Sequence, residues 1–253
     1  MINLENKTIG FVPFPHILIK DIFDESFYNQ LILNFPDQKY LKKYSSKKGD
    51  QKHFKYSLSS KNNSVDFKNF IMNNEVYNRL YSHFFSKEFL DLFLDYLKEN
   101  HFNLGITSKD FLLEKNFITK IKDILKSLIN SQSNRVSISF EFSSIPSDAG
   151  QLKPHTDSPK KILSIVIPII EKNWDNRFNA GTNLLIPKNE KKTFNLINEP
   201  LEFEETEIKK TIDFNKNQLL ILFKTYNSLH SVGPLKKCEM LFRNSLTINF
   251  ERI

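Results

Sequence analysis

Apolar residues change their period about half-way along the chain. Before residue 134 they recur every three or four positions, which lays a stripe along a helix; beyond it they alternate, as in a strand with one buried face. Ile17-Leu18-Ile19 predicts a short apolar strand, and Asp24 stands where a helix N-cap is expected, ahead of Phe27, Leu31 and Phe35. Phe35-Pro36-Asp37 ends that helix, because proline cannot continue the hydrogen-bond ladder. Residues 38–64 are rich in Lys, Ser and Asn and read as one long loop. Long loops in compact domains often carry function, and Tyr40, Tyr44, His53, Phe54 and Tyr56 make this one a candidate lid. Helical spacing returns over 66–99, where Ser86 separates the stripe Val76, Leu80, Phe84 from Phe89, Leu90, Phe93, Leu94, Leu97. A further helix is expected over 117–129.

From Val136 the pattern is strictly two-fold: Val136, Ile138, Phe140 and Phe142 alternate with Ser137, Ser139, Glu141 and Ser143. Further strands are expected at 162–170, 183–186, 210–214, 218–223 and 241–250, with turns at Asn215-Lys216-Asn217 and Gly233-Pro234. Helices first and many short strands afterwards predict one α+β domain whose β half is a sandwich or open barrel.

Composition narrows the options without choosing a function. The 253 residues are long enough for a core that excludes water, and 24 of them are Phe. No apolar run approaches the ~18 residues of a membrane span. Residues 1–10 lack a basic region followed by a small-residue cleavage site, so a cytoplasmic protein is expected. The single Cys238 rules out an intramolecular disulfide and any cysteine-based zinc or iron–sulfur site. The net charge of +7 comes from scattered lysines, and pairs such as Lys160-Lys161 read as solvated loop residues, not a nucleic-acid footprint.

The chemistry concentrates in three places. In the extended segment Pro154-His155-Thr156-Asp157, residues two apart face one way, so an imidazole and a carboxylate can grip one metal ion. A lone His-x-Asp is more often an incidental surface pair. A third ligand must come from elsewhere, and His230, just beyond the apolar strand 218–223, is the best candidate. Two imidazoles and one carboxylate leave open positions suited to non-haem Fe(II). On the last strand Arg243, Ser245, Thr247 and Asn249 share a face, and the Arg243 fork suits a carboxylate, with the Ser245 hydroxyl adding a third hydrogen bond.

In the order His155-Thr156-Asp157, then His230, then Arg243-Asn244-Ser245, the chain resembles the Fe(II)- and 2-oxoglutarate-dependent oxygenases over residues 135–252. The likeness is to their bacterial, prolyl-hydroxylase-like branch. Trp174 followed by Ala180-Gly181-Thr182 is similar to that family's Trp and Gly-containing turn, with Ala180 in place of the first Gly. The resemblance implies a double-stranded β-helix, a jelly-roll flanked by helices. It implies His155, Asp157 and His230 as iron ligands, and Arg243 with Ser245 as partners of the distal carboxylate of 2-oxoglutarate. Ser164 is a further candidate contact to that cosubstrate. Members often carry Tyr on the strand where this chain has Ile167-Pro168, which removes one expected contact.

The implied reaction consumes O2 and 2-oxoglutarate, releases succinate and CO2, and hydroxylates a small molecule or a protein or peptide side chain; ascorbate would be supportive. A ligating Asp157 argues against halogenation, which needs that position vacated. Two other readings compete. A catalytically silent jelly-roll that binds sugars or a protein partner need retain neither the triad nor Arg243. A nucleic-acid dealkylase typically has a second Arg six residues after the first, where Asn249 stands.

Overall fold

A computed structural model describes residues 2–45, 54–112, 135–148, 150–239 and 242–253. The architecture is α+β, built mostly of antiparallel strands. The amino-terminal part gives β1 (Lys7–Gly10), β2 (His16–Lys20), α1 (Glu25–Leu33), β3 (Lys42–Ser45), β4 (Phe54–Ser59), α2 (Ser64–Met72), α3 (Glu75–Phe84) and α4 (Lys87–Glu99). The rest gives β5 (Val136–Pro146), β6 (Leu152–His155), β7 (Lys161–Pro168), β8 (Thr182–Pro187), β9 (Thr206–Ile212), β10 (Gln218–Phe223), β11 (His230–Val232) and β12 (Phe242–Arg252).

Caps set the helix starts where the sequence placed them. Asp24 accepts from the Phe27 amide at 2.8 Å and Ser86 from the Phe89 amide at 3.1 Å, each satisfying a donor that the first helical turn leaves free. Asn74 does the same for α3 through the Tyr77 amide.

The strands form two sheets, ordered β1-β2-β10-β7-β12-β5-β4-β3 and β6-β11-β8-β9. From β5 to β12 the chain passes repeatedly between them, four strands to each. This is the strand arrangement of a jelly-roll. Period-two alternation then divides the larger sheet into two faces. One face presents Phe140, Phe142, Ile165, Ile167, Ile221, Ile248 and Phe250 to the helices and builds the main core. Phe142 lies at its centre, with its ring 4.8 Å from Tyr77 and 5.3 Å from Phe70. The other face meets the smaller sheet through Leu220 and Leu222 against Phe14, Leu184 and Ile212.

Three expectations change. Residues 38–64 are not one loop, because β3 and β4 extend the larger sheet beyond β5, with Leu58 opposite Phe142. Among its described residues the front therefore contributes four strands beside its four helices. Edge strand β1 escapes pattern reading because it buries no alternating face: none of its residues is fully enclosed. β4, in contrast, does alternate, Phe54, Tyr56, Leu58 against Lys55, Ser57, Ser59. Strand β9 begins at Thr206, four residues before the expected start, on a solvent-facing run. The helix expected over 117–129 lies outside the described residues, as does His53. Among the lid aromatics, Tyr40 packs against Phe70 and Tyr56 against Phe242.

Candidate metal centre

β6 ends on His155 and β11 begins on His230, and the two residues are direct partners across the antiparallel pair. Their side chains therefore leave the smaller sheet side by side, with ring centroids 4.4 Å apart. Asp157 follows two residues after His155 in a left-handed backbone conformation (φ 70°), which turns its carboxylate back toward both rings. Its Oδ1 is 3.6 Å from His155 Nε2 and its Oδ2 is 3.9 Å from His230 Nε2. All three ligand atoms lie within 4.8 Å of one another. Ligand atoms at about 2.0–2.2 Å on one side of an ion stand roughly 3 Å apart, so the three must draw together by about 1–2 Å to share one centre.

Hydrogen bonds fix which nitrogen each ring presents. His155 Nδ1 donates to the Lys153 carbonyl at 2.7 Å and His230 Nδ1 to the Ser228 carbonyl at 2.9 Å. A carbonyl only accepts, so Nδ1 carries the hydrogen and Nε2 keeps its lone pair for a metal. Burial, and then the neighbouring His155, lower the pKa of His230 to about 4, which keeps that ring neutral. Burial works against ionising Asp157, but the charge of Lys161 beside it outweighs that and holds the carboxyl well below its usual range.

A second layer holds the carboxylate. Lys161 Nζ donates to Asp157 Oδ1 at 2.7 Å, and the Ser164 hydroxyl stands 3.1 Å from Oδ2 and 2.9 Å from Asn249 Oδ1. One hydroxyl hydrogen serves one of these acceptors at a time. Thr156, between the two ligands, bonds to the Asn195 carbonyl at 2.6 Å and receives Lys224 Nζ at 2.9 Å, which pins the turn from its outer side. Lys161 corrects the sequence reading of a solvated lysine pair: its side chain is only 16% exposed. Its spacing, four residues after Asp157, was the available signal.

Arg243 lies on the face of β12 that also carries Asn249, and only 2% of it is exposed. Its Nε donates to the Ala180 carbonyl at 2.7 Å, and its guanidinium carbon sits 3.7 Å from the centre of the Phe214 ring. Gly181 allows that close turn, since a Cβ there would stand 2.9 Å from the Ile212 carbonyl oxygen. Arg243 Nη2 is buried with no hydrogen-bond partner among the described residues, and desolvation pulls the group's pKa down to about 9. A buried guanidinium with an idle donor is suited in shape and charge to a carboxylate. Ser245 is buried one inward position along the strand, between Ser143 of β5 and Pro168 of β7.

No protein-family model matches the chain, and no curated protein matches it in sequence. Solved structures do. One is a prolyl hydroxylase from Trichoplax adhaerens in complex with a hypoxia-inducible-factor oxygen degradation domain peptide fragment. It is 9% identical, with a TM-score of 0.46 over 94% of this chain and 83% of that one. A second is a prolyl-4-hydroxylase from Pseudomonas putida, 16% identical, with a TM-score of 0.29 over 53% of this chain and 60% of that one. A third is the non-heme alpha-ketoglutarate-dependent epimerase SnoN from nogalamycin biosynthesis, 8% identical, with a TM-score of 0.48 over 94% and 76%. The structural neighbours thus include prolyl hydroxylases, an alpha-ketoglutarate-dependent epimerase and an oxidoreductase of the 2OG-Fe(II) oxygenase family from Burkholderia pseudomallei. At these identities and TM-scores, the functional reading rests on the site itself.

Proposed function

We propose that the chain is an Fe(II)- and 2-oxoglutarate-dependent dioxygenase that hydroxylates an unactivated C–H of a small molecule or of a protein or peptide side chain. The observation that carries this reading is the pair of His155 and His230 Nε2 atoms facing the Asp157 carboxylate, with both tautomers fixed by backbone carbonyls. In this reading His155, Asp157 and His230 hold the metal from one side and leave the opposite side open. With O2, Fe(II) and 2-oxoglutarate supply the oxidising chemistry, releasing succinate and CO2 as the substrate gains a hydroxyl.

The chain's own residues have separable tasks. Lys161 and Ser164 orient Asp157, so that the carboxylate is in place before metal arrives. Arg243, with Ser245 beside it, takes the distal carboxylate of 2-oxoglutarate and so orients the other end of that molecule toward the triad. The apolar strands β7 and β10 keep water from the helix side of the centre. A silent binding module has no use for an idle, buried guanidinium, whose burial costs stability unless a ligand compensates it.

Anaerobic addition of Fe(II) and 2-oxoglutarate is expected to produce a weak visible charge-transfer band that His155→Ala abolishes. A folded wild-type protein without that band would falsify the oxygenase reading.

A further inference from the structure

The apolar cluster beneath Arg243 holds a second unpaired donor. Trp174, Ala180 and Phe214 belong to one buried cluster with Ile145, Ile170 and Val232. Arg243 is tied to it twice, through the Ala180 carbonyl and the Phe214 ring. Trp174 is tied to the same place by its backbone amide, which donates to the Phe214 carbonyl at 3.2 Å. It is 3% exposed. Its indole Nε1, like Arg243 Nη2, is buried with no partner among the described residues.

Both groups are donors only, so neither can satisfy the other. What they lack in common is an acceptor. A neutral acceptor would serve the indole and leave the guanidinium charge uncompensated, whereas a carboxylate serves both, one oxygen to each. The face of β7 turned away from the helices offers little competition. Val166 and Pro168 have no side-chain donor, and the Ser164 hydroxyl is already engaged by Asp157 and Asn249.

We propose that Trp174 is a specificity-determining residue for the cosubstrate: its Nε1–H donates to the distal carboxylate of 2-oxoglutarate that Arg243 also holds. The proposal rests on the oxygenase reading and adds a residue to it. It makes the site select a 2-oxo diacid over a 2-oxo monoacid by adding a neutral indole donor to the Arg243 cation and the Ser245 hydroxyl. It also turns Trp174, the only tryptophan in the chain, into an intrinsic reporter of occupancy.

The test uses the anaerobic, Fe(II)-loaded protein. Titration with 2-oxoglutarate is expected to change tryptophan emission saturably, with the midpoint found by calorimetry; pyruvate, which lacks the distal carboxylate, leaves emission unchanged at the same concentrations. Trp174→Phe keeps most of the ring volume and deletes the donor. It is expected to weaken 2-oxoglutarate by roughly 10- to 100-fold, the effect of one hydrogen bond to a charged group, while Fe(II) and pyruvate bind as in wild type. Equal 2-oxoglutarate affinity in the variant and wild type overturns the role of Trp174 and leaves the oxygenase reading standing. Parallel weakening of Fe(II), pyruvate and 2-oxoglutarate overturns it in favour of packing alone. Wild-type protein that binds Fe(II) but no 2-oxoglutarate overturns both.

Discussion

Arg243 and the triad draw on different parts of the same interior, and single substitutions should separate them. The guanidinium is enclosed by Ala180 and Phe214, while the proposed metal ligands come from β6, the turn after it and β11. Arg243→Ala is therefore expected to weaken 2-oxoglutarate by about 2–5 kcal/mol, the cost of truncating one side of a buried charge pair, with Fe(II) affinity little changed. Calorimetric titration of each component alone checks this, and unchanged 2-oxoglutarate affinity would remove Arg243 from its assigned role. Arg243→Lys should not restore the loss, since a point charge lacks the planar fork.

At the scale of elements, β4 and β5 are joined by backbone pairing and by a charge pair between Lys55 and Glu141, both largely buried. Burial disfavours ionised Glu141, but the charge and hydrogen bond of Lys55, the Ser143 hydroxyl and the charge of Lys161 together set its pKa below the ordinary carboxylate value. A depressed carboxylate pKa stabilises the fold above the unfolded-chain value, and that contribution is lost as pH falls through the folded value. The window is the acid limb, from about pH 5 downward. Thermal unfolding between pH 5 and pH 3 should thus lose Tm more steeply in wild type than in Glu141→Gln. Parallel slopes would mean that the pair contributes nothing to acid stability. The variant should also start from a lower Tm at neutral pH, because Lys55 is left buried opposite a neutral group.

For the whole molecule, ligands that bind only the folded chain raise its stability by mass action. Fe(II) and 2-oxoglutarate, each near 100 times its Kd, should each add about 2.7 kcal/mol. In a chain of this size that is about 5–10 °C in Tm per ligand. Anaerobic melting curves test it: the metal increment should vanish in His155→Ala, and the 2-oxoglutarate increment should shrink in Arg243→Ala. No helix among the described residues is long and apolar enough to cross a membrane.

The sequence by itself determined the elements with one buried face and the residue types of the site. Alternation in β5 and β12, the continuous apolar run of β10 and the side chains of Asp24 and Ser86 are local signals, because strand pattern and capping depend on neighbours in the chain. His155, Asp157, His230 and Arg243 were legible as candidates because few residue types can bind a metal or a carboxylate. Tertiary structure alone decided the rest. Cross-strand register set His230 opposite His155, a pairing between positions 75 residues apart that no local pattern encodes. Burial decided that Lys161 faces Asp157, that Ser164 is engaged there, and that Arg243 and Trp174 keep donors unpaired. Whether a polar group is satisfied depends on what the folded chain brings within 3 Å of it, and that is a property of packing, not of order along the chain.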